Sequence, residues 1–541
     1  MVLQRNHVER APDYRHRVEF NLADVFEAVA DLLGDREALV CGQRRLSFAD
    51  VDERATRLAH FLASAGIGSG DHVGVHLHNC TEYLETMLAA FKLRAVPVNV
   101  NYRYVADELR YLLADADCRA VVHEADFAPM LADLLPDLPH LSTTLARGDD
   151  YEAALAAASP DRDFPPRSGD DRYILYTGGT TGMPKGVVWR HEDIFFGAMG
   201  GGNFGGPGVT TKDELLTNAA KGISRCLPAC PFMHGTAHWM AFATLFGGGA
   251  VIIFPERRLD PRRLLELIAA ERVNFLVIVG DAFARPLVDE LEGDAELTAS
   301  VRSLSLMLSG GAILSPALKD ALHRLLPSTL IVDGYGASET GGQGQMVAGR
   351  PATDAHPRFA VNDQTTVLDD DWRPVEPGSG AIGRVARRGY IPLGYYKDPE
   401  KTAATFPVID GVRWAVPGDF ATVETDGTIV LFGRGSVSIN SGGEKVFPEE
   451  VEAVLKGHPQ VLDAVVVGVP DTRWGERVAA VVQARPGSTP SAAELAEHCR
   501  AALAGYKVPR DVVLVDSIVR SPSGKPDYRW AKNEATKALT R

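Results

Sequence analysis

The chain has 541 residues, 45 % of them apolar and 23 % charged, which is more than one ordinary domain requires and enough for a large buried core. A formal net charge of −15 disfavours nonspecific binding to nucleic acid or to anionic membranes. No apolar run reaches the roughly 18 residues of a membrane helix, and residues 1–21 lack the apolar centre of a signal peptide, so a cytoplasmic protein without a membrane segment or a nucleic-acid partner is expected.

In chain order, residues 71–77 (DHVGVHL) read as a strand feeding a helix over 82–93, with further strands at 96–100 and 119–123. The pattern resumes at 173–176, 250–254, 275–279 and 304–308, each run ending near glycine, proline or a small polar residue. Such alternation predicts an α/β fold with mostly parallel sheets. Residues 203–212 hold several glycines and a proline and read as a loop. From 354 to 396, short runs such as 365–368 and 381–386 separated by Asp, Pro and Gly predict a small antiparallel β unit closing the large domain. A Gly/Ser-rich stretch, 432–447, then leads into a helix at 448–456, strands at 461–469 and 477–484, a helix at 491–503 and a strand at 511–515. These make a small α+β domain of their own. The boundary is expected near Ser436, with a large domain over 1–435 and a small one over 436–541. Six cysteines (Cys41, Cys80, Cys118, Cys226, Cys230, Cys499) contain no C-x-x-C pair and read as reduced, buried thiols.

The strongest local signal is residues 176–186, Y-T-G-G-T-T-G-M-P-K-G, directly after an apolar strand. Gly178, Gly179 and Gly182 let backbone N–H groups approach an anion. Thr177, Thr180 and Thr181 add hydroxyls, and Lys185 adds a positive charge. The loop is a phosphate cradle but not a Walker A motif, because Lys185 stands between Pro184 and Gly186 and no Ser or Thr follows it.

This loop resembles the signature of the adenylate-forming superfamily, which includes acyl-CoA synthetases, although most members carry Ser at the position of Gly178. Four further stretches resemble family motifs in the family's order, and the resemblance spans about residues 20–530. The resemblance implies a large, multi-subdomain adenylation domain followed by a small mobile one. It implies that Ser309-Gly310-Gly311-Ala312 lies against adenine and the acyl carbonyl, so that Gly311 and Ala312 join the ATP site. Within D-G-Y-G-A-S-E-T (333–340), Asp333, Gly334 and Tyr335 would meet adenine, Ser338 the α-phosphate, and Glu339 a Mg²⁺ ion. Asp419, closing W-A-V-P-G-D, would accept from the ribose hydroxyls, and Arg434 would reach the ribose or phosphates. Lys525, closing S-P-S-G-K, would be the lysine of adenylation. Ser441, Gly442, Gly443 and Lys445 of S-G-G-E-K would line the coenzyme A tunnel. At the hinge the chain departs from its relatives, since Ser436 stands where most have Asp or Lys.

The implied reaction joins a carboxylic acid to coenzyme A at the expense of ATP, through an acyl-adenylate. His234, Trp239, Gly280 and Gly310 are the expected acyl contacts. His234 stands near the position where amino-acid-activating relatives carry an amine-binding Asp, which suggests an acid without an α-amino group. The apolar stretches 240–246 and 275–279 suit an apolar acyl chain or an ordinary core equally well. The loop, the stretch 279–287 (V-G-D-A-F-A-R-P-L) and residues 433–452 resemble actinobacterial fatty-acyl-CoA ligases, which implies a medium- or long-chain fatty acid or a steroid side-chain acid. Two alternatives stay open: an acyl-AMP ligase serving an acyl carrier protein, and a non-catalytic nucleotide-binding protein. A homodimer is also admitted.

Overall fold

Two mixed sheets, each built around a block of parallel strands with antiparallel strands at its edges, and a smaller third sheet organise the chain in the computed structural model, which describes residues 19–177, 183–312, 314–347, 357–441, 444–471, 475–521 and 524–539. In the seven-stranded sheet, Arg172–Thr177 lies between Lys185–Arg190 and Val96–Asn99, followed by His72–His76, Cys118–His123 and Thr143–Ala146. In the thirteen-stranded sheet, Arg225–Pro228, Phe275–Ile278, Leu306–Gly310 and Leu330–Ala337 run parallel. Strands Ala250–Ile253 and Phe275–Ile278 are buried at every position, as expected of parallel strands covered by helices on both faces. Side chains close the helix ends locally. Asn21 accepts from the N–H of Ala23 at the start of Leu22–Leu33, and Ser47 and Asp50 form a reciprocal capping box on Phe48–Ser64.

The strand expected at 304–308 lies at Leu306–Gly310, because parallel pairing with Leu330–Ala337 continues as far as Gly310 opposite Gly334. Ser309 and Gly310 therefore end a strand rather than form a turn. The antiparallel unit is present, but it is not a separate closure. Arg358–Val361 pairs both with Gly341–Val347 and with Ile429–Arg434, so the unit extends the large sheet at its edge. The helix expected at 491–503 is shorter, Ala492–Arg500, and is capped by Ser491.

The third sheet carries Glu444–Val446, Ile439–Ser441, Gly475–Ala484, Val461–Asp471 and Asp511–Val515. It packs against helices Pro448–Lys456, Ala492–Arg500 and Tyr528–Leu539 around its own apolar cores. A single 3-10 turn, Gly435–Val437, joins it to Ile429–Arg434. No helix among the described residues is long and apolar enough to cross a membrane. All six cysteines are unpaired, five of them buried.

Candidate active site

A cavity of about 1710 Å³ opens where several strands end at their carboxyl termini, the usual place for a ligand in an open α/β sheet. Thr177 ends one of these strands, Gly310 and Gly311 another, and Gly334, Tyr335 and Ser338 follow the course of a third. Two asparagines not anticipated from the sequence hold the rim. Asn99 donates to the carbonyls of Tyr176 (2.9 Å) and Met233 (2.7 Å) and accepts from the N–H of Tyr176 (2.7 Å). Asn79 donates to Cys230 O at 3.0 Å and accepts from Phe232 N at 2.7 Å. Together they pin the turn that presents His234. Asn99 ends its strand and Asn79 lies between strand His72–His76 and helix Thr81–Lys92, and neither has a sequence signature that would single it out.

The small sheet reaches the same cavity through Lys525. The turn carrying it is braced from within: Ser521 N donates to Lys525 O at 2.8 Å, and Arg520 Nη1 donates to Gly524 O at 2.9 Å. Arg520 is itself held by Asp463 at 2.6 Å. Gly524, with φ +75°, sits against the large sheet's loop; a Cβ there would lie 3.3 Å from Val279 Cγ1 and from Val279 O. Lys456 approaches Asp281, in the first turn of helix Gly280–Gly293 that follows Val279, at 3.4 Å.

His234 is buried on the cavity wall, and its Nε2 has no hydrogen-bond partner. Burial, with the charge of Lys525 second, lowers its pKa to about 3, so the ring is neutral at pH 7. Behind it, a buried relay fixes Trp239. Phe232 O can only accept, so His238 carries its proton on Nδ1 (2.6 Å) and accepts at Nε2 from the Tyr173 hydroxyl. Tyr173 in turn accepts from Trp239 Nε1 at 3.1 Å. Trp239 lines the cavity, and Gly235 leaves room for its ring.

Glu339 is buried, and its Oε1 accepts from the Tyr395 hydroxyl at 2.8 Å. A single carboxylate with one oxygen so engaged suits a Mg²⁺ ion that takes its other ligands from phosphates and water; no cluster of three metal-binding side chains occurs among the described residues. Tyr335 donates to Asp419 Oδ2 at 3.0 Å, joining two of the expected nucleotide contacts. Asp333 pairs with Lys319 at 2.7 Å, while burial raises its pKa to about 6. Lys185 is ion-paired with Asp398.

Of the expected site residues, Thr177, Gly310, Gly311, Gly334, Tyr335, Ser338, His234, Trp239 and Lys525 line this one cavity. Lys185, Gly280, Ala312, Asp333, Glu339, Asp419 and Ser441 are not among its described lining residues. Gly280 is buried behind it and donates to Ser309 Oγ at 3.1 Å. Of the apolar stretches, Met240 and Val279 reach the cavity; strand Phe275–Ile278 belongs to the core. Gly178, Gly179, Thr180, Thr181, Gly182, Gly442 and Gly443, and the side chains of Arg434, Ser436 and Lys445, lie outside the described residues.

Known proteins share this architecture and its sequence. Residues 26–396 match the model of the AMP-binding enzyme family, and residues 450–525 match that of the AMP-binding enzyme C-terminal domain. A 3-oxocholest-4-en-26-oate–CoA ligase of Rhodococcus rhodochrous is 49 % identical over 534 residues, covering 95 % of this chain and 96 % of the relative. A medium/long-chain-fatty-acid–CoA/3-oxocholest-4-en-26-oate–CoA ligase of Mycobacterium tuberculosis (strain ATCC 25618 / H37Rv) is 49 % identical over 533 residues, 96 % of each chain. In fold, the chain is similar to the anthranilate CoA ligase AuaEII in complex with anthranoyl-AMP. The TM-score is 0.84 at 22 % identity, over 98 % of this chain and 100 % of that one.

Proposed function

The chain belongs to the AMP-binding enzyme family, and from that premise we propose that it is an AMP-forming acyl-CoA synthetase acting on a hydrophobic monocarboxylic acid, either a medium- or long-chain fatty acid or a steroid side-chain acid. The observation that carries this reading is the convergence of Lys525, Thr177, Gly311, Tyr335 and Ser338 on one cavity. It is supported by the cavity's mixed wall, which joins these polar groups to Trp239, Met240, Val279 and Leu308.

In the first step the acid's carboxylate attacks the α-phosphate of ATP, forming the acyl-adenylate and releasing pyrophosphate. The carboxylate is already ionised at neutral pH, so no general base is required. The task is to bring anionic groups together, which is a matter of positioning and charge. Lys525 supplies an ammonium group beside the reacting phosphate, Ser338 a hydroxyl, and Thr177 begins the loop that receives the pyrophosphate. Glu339 would hold Mg²⁺, which supplies positive charge at the phosphates. Tyr335 and Asp419 receive the nucleoside. His234, neutral at pH 7, bounds the acyl end without adding charge. In the second step the thiol of coenzyme A attacks the acyl carbonyl and AMP leaves. This step uses the linker-side segment from Ser441 to Lys445, after residues 436–541 turn about the junction near Ser436 and withdraw Lys525.

The test is incubation with ATP, Mg²⁺ and a panel of acids, with and without coenzyme A, followed by mass spectrometry. Acyl-AMP without coenzyme A and acyl-CoA with it are the expected products. Activity confined to acetate or amino acids, or transfer only to a carrier protein, would refute the assignment.

A further inference from the structure

Arg387 ends strand Gly383–Arg387, between Thr365 on one side and Ala415 on the other. Its side chain is only 3 % exposed, yet it lines the cavity. Nε and Nη1 have no hydrogen-bond partner, and Nη2 reaches Gln364 Oε1 only at 3.5 Å, the outer limit of a hydrogen bond. Burial alone acts on its basicity and lowers it to about 10, so it stays protonated at pH 7. By contrast, two other largely buried arginines are ion-paired, Arg520 with Asp463 and Arg167 with Glu27. A buried cation left without a partner is costly, and Arg387 stands in the wall of an open cavity.

A second donor stands in the same part of the cavity. Gln343 is buried and lines it; Oε1 accepts from Thr340 Oγ1 at 3.0 Å, while Nε2 has no partner. Gly342 on the same strand also lines the cavity, and a Cβ there would meet nothing nearer than the Gly197 carbonyl at 4.0 Å. Gly341, at φ +66°, lies so close to the carbonyl of Gly197 that a Cβ could not be placed there. This part of the wall thus holds two side chains with unsatisfied donors, Arg387 and Gln343, and it is built from residues outside the nucleotide-facing motifs.

We propose that Arg387, with Gln343 and Gln364, forms a subsite for a hydrogen-bond-accepting oxygen that the acid carries away from its reacting carboxylate. This rests on the acyl-CoA synthetase reading and makes it more specific. A fatty acid ending in methyl offers the subsite nothing, whereas a ring ketone or a second carboxylate satisfies it. The acid in the relatives' names, 3-oxocholest-4-en-26-oate, carries its oxo group at carbon 3 and its carboxylate at carbon 26.

The experiment compares two matched pairs: a 3-oxo steroid side-chain acid with its 3-deoxo counterpart, and an α,ω-dicarboxylic acid with a monocarboxylic acid of equal length. The parent should prefer the oxygenated member of a pair by roughly tenfold or more in kcat/KM, the scale of a hydrogen bond to a charged group. Arg387→Met should bring that ratio to about one, with the loss carried by the KM for the oxygenated acid, and Arg387→Lys should restore part of it. A response in the steroid pair assigns a neutral carbonyl, and a response in the diacid pair assigns a carboxylate. The ligand-free melting temperature of Arg387→Met should be equal to or above the parent's, because an unpaired buried charge is removed; a purely structural arginine would lower it. Should Arg387→Met not fold, Gln343→Leu carries the same test of the ratio. A ratio that ignores both substitutions, or an equal rise in the KM for ATP, overturns the subsite while leaving the synthetase reading intact. If the parent activates none of the four acids, the synthetase reading fails and the subsite with it.

Discussion

Lys525 owes its place to neighbours that can be named. Arg520 anchors the turn to Asp463, Ser521 closes it with hydrogen bonds to residues 524 and 525, and the ammonium lies near enough to His234 to help keep that ring neutral. On the proposed reading, a cation so held serves the phosphate step and not attack by a thiol on a carbonyl. Lys525→Ala should therefore slow acyl-AMP formation by roughly 10²- to 10³-fold and leave thioester formation from supplied acyl-AMP within a few fold of the parent. Timing the two half-reactions separately checks this; equal losses would remove Lys525 from its assigned role.

At the scale of elements, the strand Arg172–Thr177 and the helix Gly235–Phe246 are coupled by the directed relay from Trp239 through Tyr173 and His238 to Phe232 O. Tyr173→Phe removes one oxygen and strands two buried groups, Trp239 Nε1 and His238 Nε2. The cost should be about 2–4 kcal/mol, read as a lower urea midpoint at unchanged m-value, with a broader acyl-chain profile because Trp239 is no longer fixed. This relay was not legible beforehand, since Tyr173 sits 65 and 66 residues from His238 and Trp239, in an apolar background that periodicity reads as core. By contrast, Thr365–Leu368 and Pro448–Lys456 fall at their expected bounds, because turn residues and a proline at the helix start mark them locally. The site divides in the same way. Tyr335, Ser338 and Lys525 belong to compact motifs that the sequence displays. Arg387 stands in an ordinary-looking strand, and its importance appears only when its burial and its unused donors are measured in three dimensions.

Across the whole molecule, both acidity and domain arrangement leave measurable signatures. Burial lowers His76 and His234 to about 3 and His191 and His238 to about 4, whereas unfolded histidine titrates at about 6.5. Between those values the unfolded chain binds protons that the folded chain refuses, so stability must fall as pH drops below about 6.5. Asp333, raised to about 6 by burial, runs the other way by one proton. These five groups alone imply an uptake of about three protons on unfolding near pH 5, and His72, His123 and His458, also lowered by burial, act in the same direction, so the urea midpoint should decline from pH 7 to pH 5. A flat profile would mean that these rings are charged in the folded state. The arrangement of the two parts can be tested at their contact, because Gly524 meets Val279 and Ala282 across it. Gly524→Val adds two effects that separate cleanly. The positive φ strains any side chain there by roughly 1–2 kcal/mol wherever the small domain stands, so a modest stability loss follows in every state. The 3.3 Å approach to Val279 exists only while the turn is seated on the large sheet, and crowding it costs a further ~1–3 kcal/mol. On the proposed reading, adenylation needs Lys525 seated in the cavity and thioester formation needs it withdrawn. Gly524→Val should thus slow acyl-AMP formation by about tenfold or more while thioester formation from supplied acyl-AMP is spared or even favoured. If both half-reactions slow together in a folded variant, one arrangement serves both steps and the junction near Ser436 is not a working hinge.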